Sequence, residues 1–241
     1  MKRALVLQHM EFDTAGRFLD YFAEDGIYPD TVRLWAGEAV PGLSPYDLMF
    51  VLGGPQDAWQ EAEHPWLAAE KAAIREWVRD RARPYIGVSL GHQLLADALG
   101  GRVAVSLGGS EVGVCDVAVS EEAARHPLFR HLGGTHKVMQ WHHAEVAGLP
   151  PEVAVLAASP LIPVQAIAVG DHAVGLQFHA EFTPQTLATW AFNPKAVAAM
   201  EAHAGPGAYA RYVRAAHPHM PAMARLSRRI FENLKSAAGW R

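Results

Sequence analysis

The sequence contains one cysteine, Cys115, which excludes an internal disulfide framework and any cysteine-rich metal site. It has no cluster of basic residues, and a formal net charge of −4 gives no electrostatic reason to expect nucleic acid as a partner. No apolar run approaches the length of a membrane span. The opening Met1-Lys2-Arg3-Ala4-Leu5-Val6-Leu7 is basic then apolar, like a secretory signal, but Gln8-His9-Met10-Glu11 interrupts it too soon. Internal repeats and low-complexity segments are missing as well. A cytoplasmic chain with no membrane contact is therefore expected. Half of the 241 residues are hydrophobic and 19% are charged, enough for one large α/β domain with a substantial core.

Hydrophobic patterning gives the order of elements. Ala4–Leu7 reads as a buried strand, residues 14–25 as a helix ending near Gly26, and Thr31–Trp35 as a second strand. Met49–Leu52 is a third strand ended by Gly53-Gly54-Pro55, and apolar positions from His64 to about Arg79 recur at helical spacing. Tyr85–Val88 is a fourth strand. Strands alternating with helices imply a parallel sheet covered on both faces, with sites at the carboxyl ends of its strands. After Gly101 come strand candidates at Arg102–Ser106, Val112–Val119, Thr135–Gln140, Val153–Ala157, Val164–Val169 and Ala173–Phe178. No linker-like composition separates them, so they are expected to extend the same sheet in antiparallel fashion. Thr183 caps a further helix with Pro184 in its first turn. The tail beyond Asn193 is helical in character, broken at Gly205-Pro206-Gly207, Pro218 and Pro221. The organisation expected is a domain over residues 1–192 and a helical extension, 193–241, packed on it.

Three blocks carry chemistry. Gly87-Val88-Ser89-Leu90-Gly91 lies between a strand and a helix, the G-x-S-x-G pattern of a nucleophile elbow. Its glycines remove side chains that would crowd a sharp bend. Gly53-Gly54-Pro55 lets the main chain approach a substrate without a Cβ in the way; taken alone it is an ordinary strand-ending turn. Gly175-Leu176-Gln177-Phe178-His179-Ala180-Glu181 places a histidine and a carboxylate two residues apart, on one side of an extended segment.

The elbow continues as Gly91-His92-Gln93, and with this extension it resembles class I glutamine amidotransferases, whose elbow reads G-x-C-x-G-H-Q. Val51–Pro55 resembles that family's oxyanion strand end, and Gly175–Glu181 its G-x-Q-F-H-x-E signature. The order of the blocks also matches, and the resemblance runs from about residue 4 to 192. It implies a three-layer, flavodoxin-like α/β fold, mostly parallel with an antiparallel extension, as in a stand-alone GMP-synthase-glutaminase-like domain. It further implies hydrolysis of glutamine or a γ-glutamyl amide through a covalent glutamyl-enzyme, with Ser89 in the nucleophile position, His179 as base and Glu181 orienting it. Backbone N–H groups of Gly54 and Leu90 would hold the oxyanion. Gly53, Gln93 and the Trp141-His142-His143 segment would line the substrate pocket. That last stretch is similar to a family W-H-G-D-E-V segment, with His143 in place of the glycine and Ala144 in place of the aspartate. The bulkier imidazole leaves room for a γ-glutamyl compound other than glutamine as substrate.

One departure governs the reading: the family's nucleophilic cysteine is Ser89 here. A thiol ionises readily, whereas a serine hydroxyl needs its base at the instant of attack. The serine is read as a replacement that silences a cysteine enzyme. It also fits a natural binding subunit without turnover, or an active serine hydrolase. No cofactor or metal is required, since His142-His143 and His217-Pro218-His219 have no acidic or cysteine partner at ligand spacing. Cys115 sits in an alternating strand pattern and reads as structural. Nothing resembles a synthetase domain, so ammonia would pass to a synthetase or acceptor subunit in trans, or the chain would act alone.

Overall fold

The computed structural model describes residues 1–240, apart from the side chains of Ala196 and His203. The chain begins with β1 (Lys2–Gln8), α1 (Arg17–Glu24), β2 (Ile27–Arg33) and β3 (Leu48–Val51). There follow α2 (Trp66–Arg75), continued by a π-helical turn over Glu76–Asp80, then β4 (Tyr85–Val88) and α3 (Leu90–Ala98). The strand-rich part comprises β5 (Arg102–Val105), β6 (Glu111–Val119), β7 (Gly134–His142), β8 (Ala144–Gly148), β9 (Val153–Ala157), β10 (Ala166–Val169) and β11 (Ala173–Leu176). Four helices close the chain: α4 (Pro184–Trp190), α5 (Pro194–Ala204), α6 (Ala208–Ala216) and α7 (Met220–Ala237).

The central sheet has the order β2-β1-β3-β4-β11-β10-β9. Its first five strands in that order run parallel, and β10 reverses between β11 and β9. Alternation along β1 sends Ala4 and Val6 to one face and Leu5 and Leu7 to the other. On the first face Phe18 and Phe22 of α1 and Phe231 of α7 pack with Phe50; on the second lie Leu67 and Ile74 of α2 and Leu94 and Leu95 of α3. Both faces are thus covered, which is why β3 and β4 are buried at every position. The fold is the mostly parallel, flavodoxin-like α/β architecture anticipated.

Three details differ from the sequence reading. The second strand lies at Ile27–Arg33, starting four residues and ending two residues earlier than expected, and Leu34–Ala36 is a short 3-10 turn. Pro29 argues against a strand there, yet β2 is the sheet's edge and pairs only with β1, where a missing N–H is tolerated. Of the strands expected to extend the sheet in antiparallel fashion, only β9 and β10 join it by antiparallel pairing, and β11 enters it parallel to β4. β5 pairs with β8, a strand with no expected counterpart, and β6 with β7, as two separate ribbons. Pro221 opens α7 instead of breaking it, as proline does in a first turn. Thr183 caps α4 as expected, accepting from the Thr186 N–H at 3.0 Å.

Candidate active site

Ser89 occupies the turn between β4 and α3 with φ 51° and ψ −107°, a conformation L-residues rarely adopt. The glycines on either side are dictated by packing. A Cβ on Gly87 would stand 2.5 Å from the Gly91 carbonyl oxygen, and one on Gly91 would collide with the Val51 carbonyl. Tyr85 donates its hydroxyl to the Gly91 carbonyl at 2.8 Å, closing the bend from below. The elbow is also tied to both neighbouring strands. Ser89 N–H donates to Leu176 O at 2.8 Å, and Gly91 N–H to Leu52 O at 3.1 Å.

Strand register then brings the second block to the first. Val88 pairs with Leu176 across β4 and β11, so Ser89 and the segment beginning at Gln177 leave the sheet at one level. His179 N–H donates to Met139 O at 2.9 Å, and its ring stacks on Phe182 at 4.3 Å. Its Nδ1 lies 2.7 Å from Glu181 Oε1. A carboxylate only accepts, so Nδ1 carries the proton and Nε2 is the atom left for chemistry. Burial pulls the His179 pKa down, but Glu181 and Asp13 outweigh it and the net direction is up. The Glu181 main chain is clamped in turn: its carbonyl accepts from Arg17 N–H at 3.0 Å, and the Arg17 guanidinium donates to the next carbonyl, of Phe182.

Gly53 is the meeting point. A Cβ placed on it would lie 3.3 Å from His179 Cε1, 3.4 Å from Ser89 Cβ and 3.5 Å from Asp13 Oδ2. Among the described residues neither the Gly54 nor the Leu90 N–H donates to a protein acceptor. Both residues line the same cleft as Ser89 and His179. Behind them His9, fully buried, contacts the Gly53 carbonyl through Nδ1 at 2.8 Å and Glu70 through Nε2 at 2.9 Å. Asp13 is buried beside the pair Ser89–His179. Burial pushes its carboxyl up to about 7; His179 and His9 draw it back, and Glu181 pushes it further.

The remaining expected pocket residues divide. Gln93 is buried and donates to Gln177 Oε1 at 3.0 Å. His142 turns inward, with Nε2 3.1 Å from Glu111 Oε2 and Nδ1 2.9 Å from the Ala144 carbonyl. Gln165 and Gln140 donate to the same Glu111 oxygen, so His142 belongs to a buried polar network. His143 points outward and pairs with Asp57 at 2.9 Å on the rim. Trp141 packs edge-on against Trp190 at 5.3 Å. Gln93, Trp141, His142 and His143 border a cleft of about 800 Å³, much larger than a glutamine side chain requires, with Trp35 as a further aromatic wall. Among the described residues no three His, Cys, Asp or Glu side chains converge to hold a metal ion, and no helix is long and apolar enough to cross a membrane.

His9, Asp13 and Glu70 have no place in the sequence reading. His9 and Asp13 follow the carboxyl end of β1, and the rule that sites gather at such ends could have flagged them. Glu70 gives no such signal: on α2 it looks like one more solvated helix carboxylate, and only the fold buries it.

The family model for glutamine amidotransferase class-I matches residues 19–196. The glutamine amidotransferase-like protein YfeJ of Salmonella typhimurium is 35% identical over 183 residues, covering 74% of this chain and 75% of that protein. Gamma-glutamyl peptidase 3 of Arabidopsis thaliana is 24% identical over 177 residues, 70% of this chain and 69% of that protein. Among solved structures, a glutamine amidotransferase from Thermotoga maritima superposes with a TM-score of 0.86 at 28% identity, covering 97% of both chains. With the elbow, the His-x-Glu pair and the glycine loop gathered at one end of such a sheet, the chain belongs to the class-I glutamine amidotransferase family.

Proposed function

We propose that this protein hydrolyses γ-glutamyl amides through a covalent glutamyl-enzyme, with residue 89 as nucleophile, and that Ser89 stands where the working enzyme carries cysteine. The observation that carries the reading is the register match of β4 and β11, which sets Ser89 beside the His179–Glu181 pair at one wall of the cleft. In the reaction the residue-89 side chain attacks the γ-carbonyl carbon while His179 Nε2 takes its proton. The carbonyl oxygen becomes an oxyanion, held by the Gly54 and Leu90 N–H groups. Collapse breaks the C–N bond, the amine leaves with the proton from His179, and water activated by the same nitrogen releases glutamate. Glu181 keeps the histidine in the tautomer these steps need.

The size of the cleft and its three tryptophan walls favour an amide with a substituent on nitrogen over glutamine alone. A relative named as a gamma-glutamyl peptidase supports the same preference. Passage of ammonia to a synthetase or acceptor subunit in trans is the alternative fate of the product.

The test is amine and glutamate release from glutamine and from γ-glutamyl amides of increasing bulk, for this chain and for Ser89→Cys side by side. We expect Ser89→Cys to exceed the serine form by several orders of magnitude, on the scale seen when a triad nucleophile is lost. Bulky amides should outrun glutamine in kcat/KM. Turnover by neither form would sink the catalytic reading; equal turnover by both would identify a serine hydrolase instead.

A further inference from the structure

The Gly53–Gly54 peptide has glycine on both sides, so nothing in its own backbone prevents it from rotating. Its two polar groups point in opposite directions, as in any trans peptide, and among the described residues there is no cis bond. Whatever holds the Gly53 carbonyl therefore aims the Gly54 N–H. The carbonyl is held by His9 Nδ1 at 2.8 Å, and His9 is held in turn by Glu70 at 2.9 Å and by Trp66, whose ring stacks on it at 5.3 Å and 11°. His9 and Glu70 are both wholly buried. A carbonyl and a carboxylate are acceptors only, so the imidazole must present an N–H to each, and it is the cationic form that does so. Burial works against that charge, but Glu70, with Gly53 and Asp13, leaves the His9 pKa raised.

Resting on the reading of Gly54 as an oxyanion donor, we infer that His9 and Glu70 are positioning residues which lock the Gly53–Gly54 peptide with its N–H facing the cleft. A buried ion pair is a poor device for stability alone, because apolar side chains of similar volume commonly serve as well or better. Here the pair has a geometric task. It restrains a peptide that glycine leaves free, and its positive charge on the carbonyl polarises the same unit, strengthening the opposite N–H as a donor. The approach is tight enough to require glycine at 54: a Cβ there would stand 2.7 Å from His9 Cβ.

The experiment uses the full chain with Ser89→Cys and compares three pairs at positions 9 and 70: the natural one, His9→Phe with Glu70→Leu, and His9→Asn with Glu70→Gln. Phenylalanine with leucine fills the space, keeps the stacking on Trp66 and removes the donor; asparagine returns an N–H near the place of Nδ1. We expect the apolar pair to fold at least as stably as the parent, to lose about 10²-fold in kcat as when an oxyanion donor is removed, and to change KM less than about twofold. The asparagine pair should recover about tenfold of that loss. An unchanged kcat, a loss confined to KM, or no recovery with asparagine would overturn the inference. A crystal structure of the apolar-pair variant provides a readout independent of turnover. A displaced Gly53 carbonyl supports the lock, and an unmoved one overturns it. No turnover by the Ser89→Cys parent would count against the functional reading alone, leaving the carbonyl position to decide the role of His9.

Discussion

Asp13 is a carboxyl group kept from water within reach of two histidines, and its protonation couples the site to stability. In the unfolded chain it ionises near 3.8, in the folded protein near 7. The folded state therefore binds the extra proton between those values. Its stabilising share is complete below about pH 4 and is lost as pH rises through 7. His179 acts in the same sense, since its folded pKa is also raised. Asp13→Asn removes the carboxyl share. Denaturant unfolding at pH 5 and pH 8 should show a fall in stability between the two that is smaller in Asp13→Asn by about 2 kcal/mol, with the variant the more stable form at pH 8. Identical slopes would mean that Asp13 ionises as a solvated carboxylate does. Ser89 and the His179–Glu181 pair, which the fold brings together, were legible in the sequence because each sits at a fixed offset inside a glycine-marked motif. Asp13 and His9 were not, because their importance comes from burial among residues far away in the chain.

At the scale of elements, the elbow is a strained turn held by its neighbours. The bend at Ser89 costs on the order of 1–3 kcal/mol, and it persists because Leu176 and Leu52 accept hydrogen bonds from its two ends. Glycine adopts this conformation freely, so Ser89→Gly should raise stability by about 1 kcal/mol while abolishing any nucleophile. Gly91→Ala should do the reverse, because its Cβ would enter the Val51 carbonyl; we expect a loss of about 2–3 kcal/mol. Thermal unfolding of both variants checks the pair, and a destabilised Ser89→Gly would remove strain as a feature of the turn. The parallel strands could be placed from sequence because burial on both faces makes them continuous apolar runs. The edge strand β2 carries a proline and alternates weakly, and β8 is defined by pairing with β5 more than by its own composition. The detachment of the β6–β7 ribbon from the main sheet is a matter of tertiary packing, which no local pattern records.

For the whole molecule, the question is whether residues 193–241 form a separable addition. We propose that they do not. Leu226, Ile230, Phe231 and Leu234 of α7 belong to the same apolar cluster as Val6, Phe50 and Ile86 of the central sheet. Phe231 meets Phe18, Tyr21 and Phe22 of α1 at 6.1, 5.6 and 5.7 Å between ring centres. Asn233 donates to the carbonyls of Leu128 and Arg130 at 3.1 and 3.0 Å, and Lys235 pairs with Asp25 at 2.6 Å. On the other side of the tail, Tyr209 and Tyr212 of α6 pack with Phe182 and Trp190, the residues that back His179. Burying each of the four α7 side chains is worth roughly 1.5–3 kcal/mol, so together they contribute on the order of 6–12 kcal/mol. That is comparable to the whole stability of a typical domain, roughly 5–15 kcal/mol. A chain ending at residue 192 should therefore lack a cooperative thermal transition and bind a dye for exposed apolar surface. Adding residues 193–241 as a separate peptide should restore the transition, because α7 shares one apolar cluster with α1 and the central sheet. A cooperative transition in the shortened chain alone would place the boundary where the motifs end and make the tail an accessory. Its absence would mean that α7 completes, beside α1, the cover of one face of the sheet, and that the site folds only once α7 has docked.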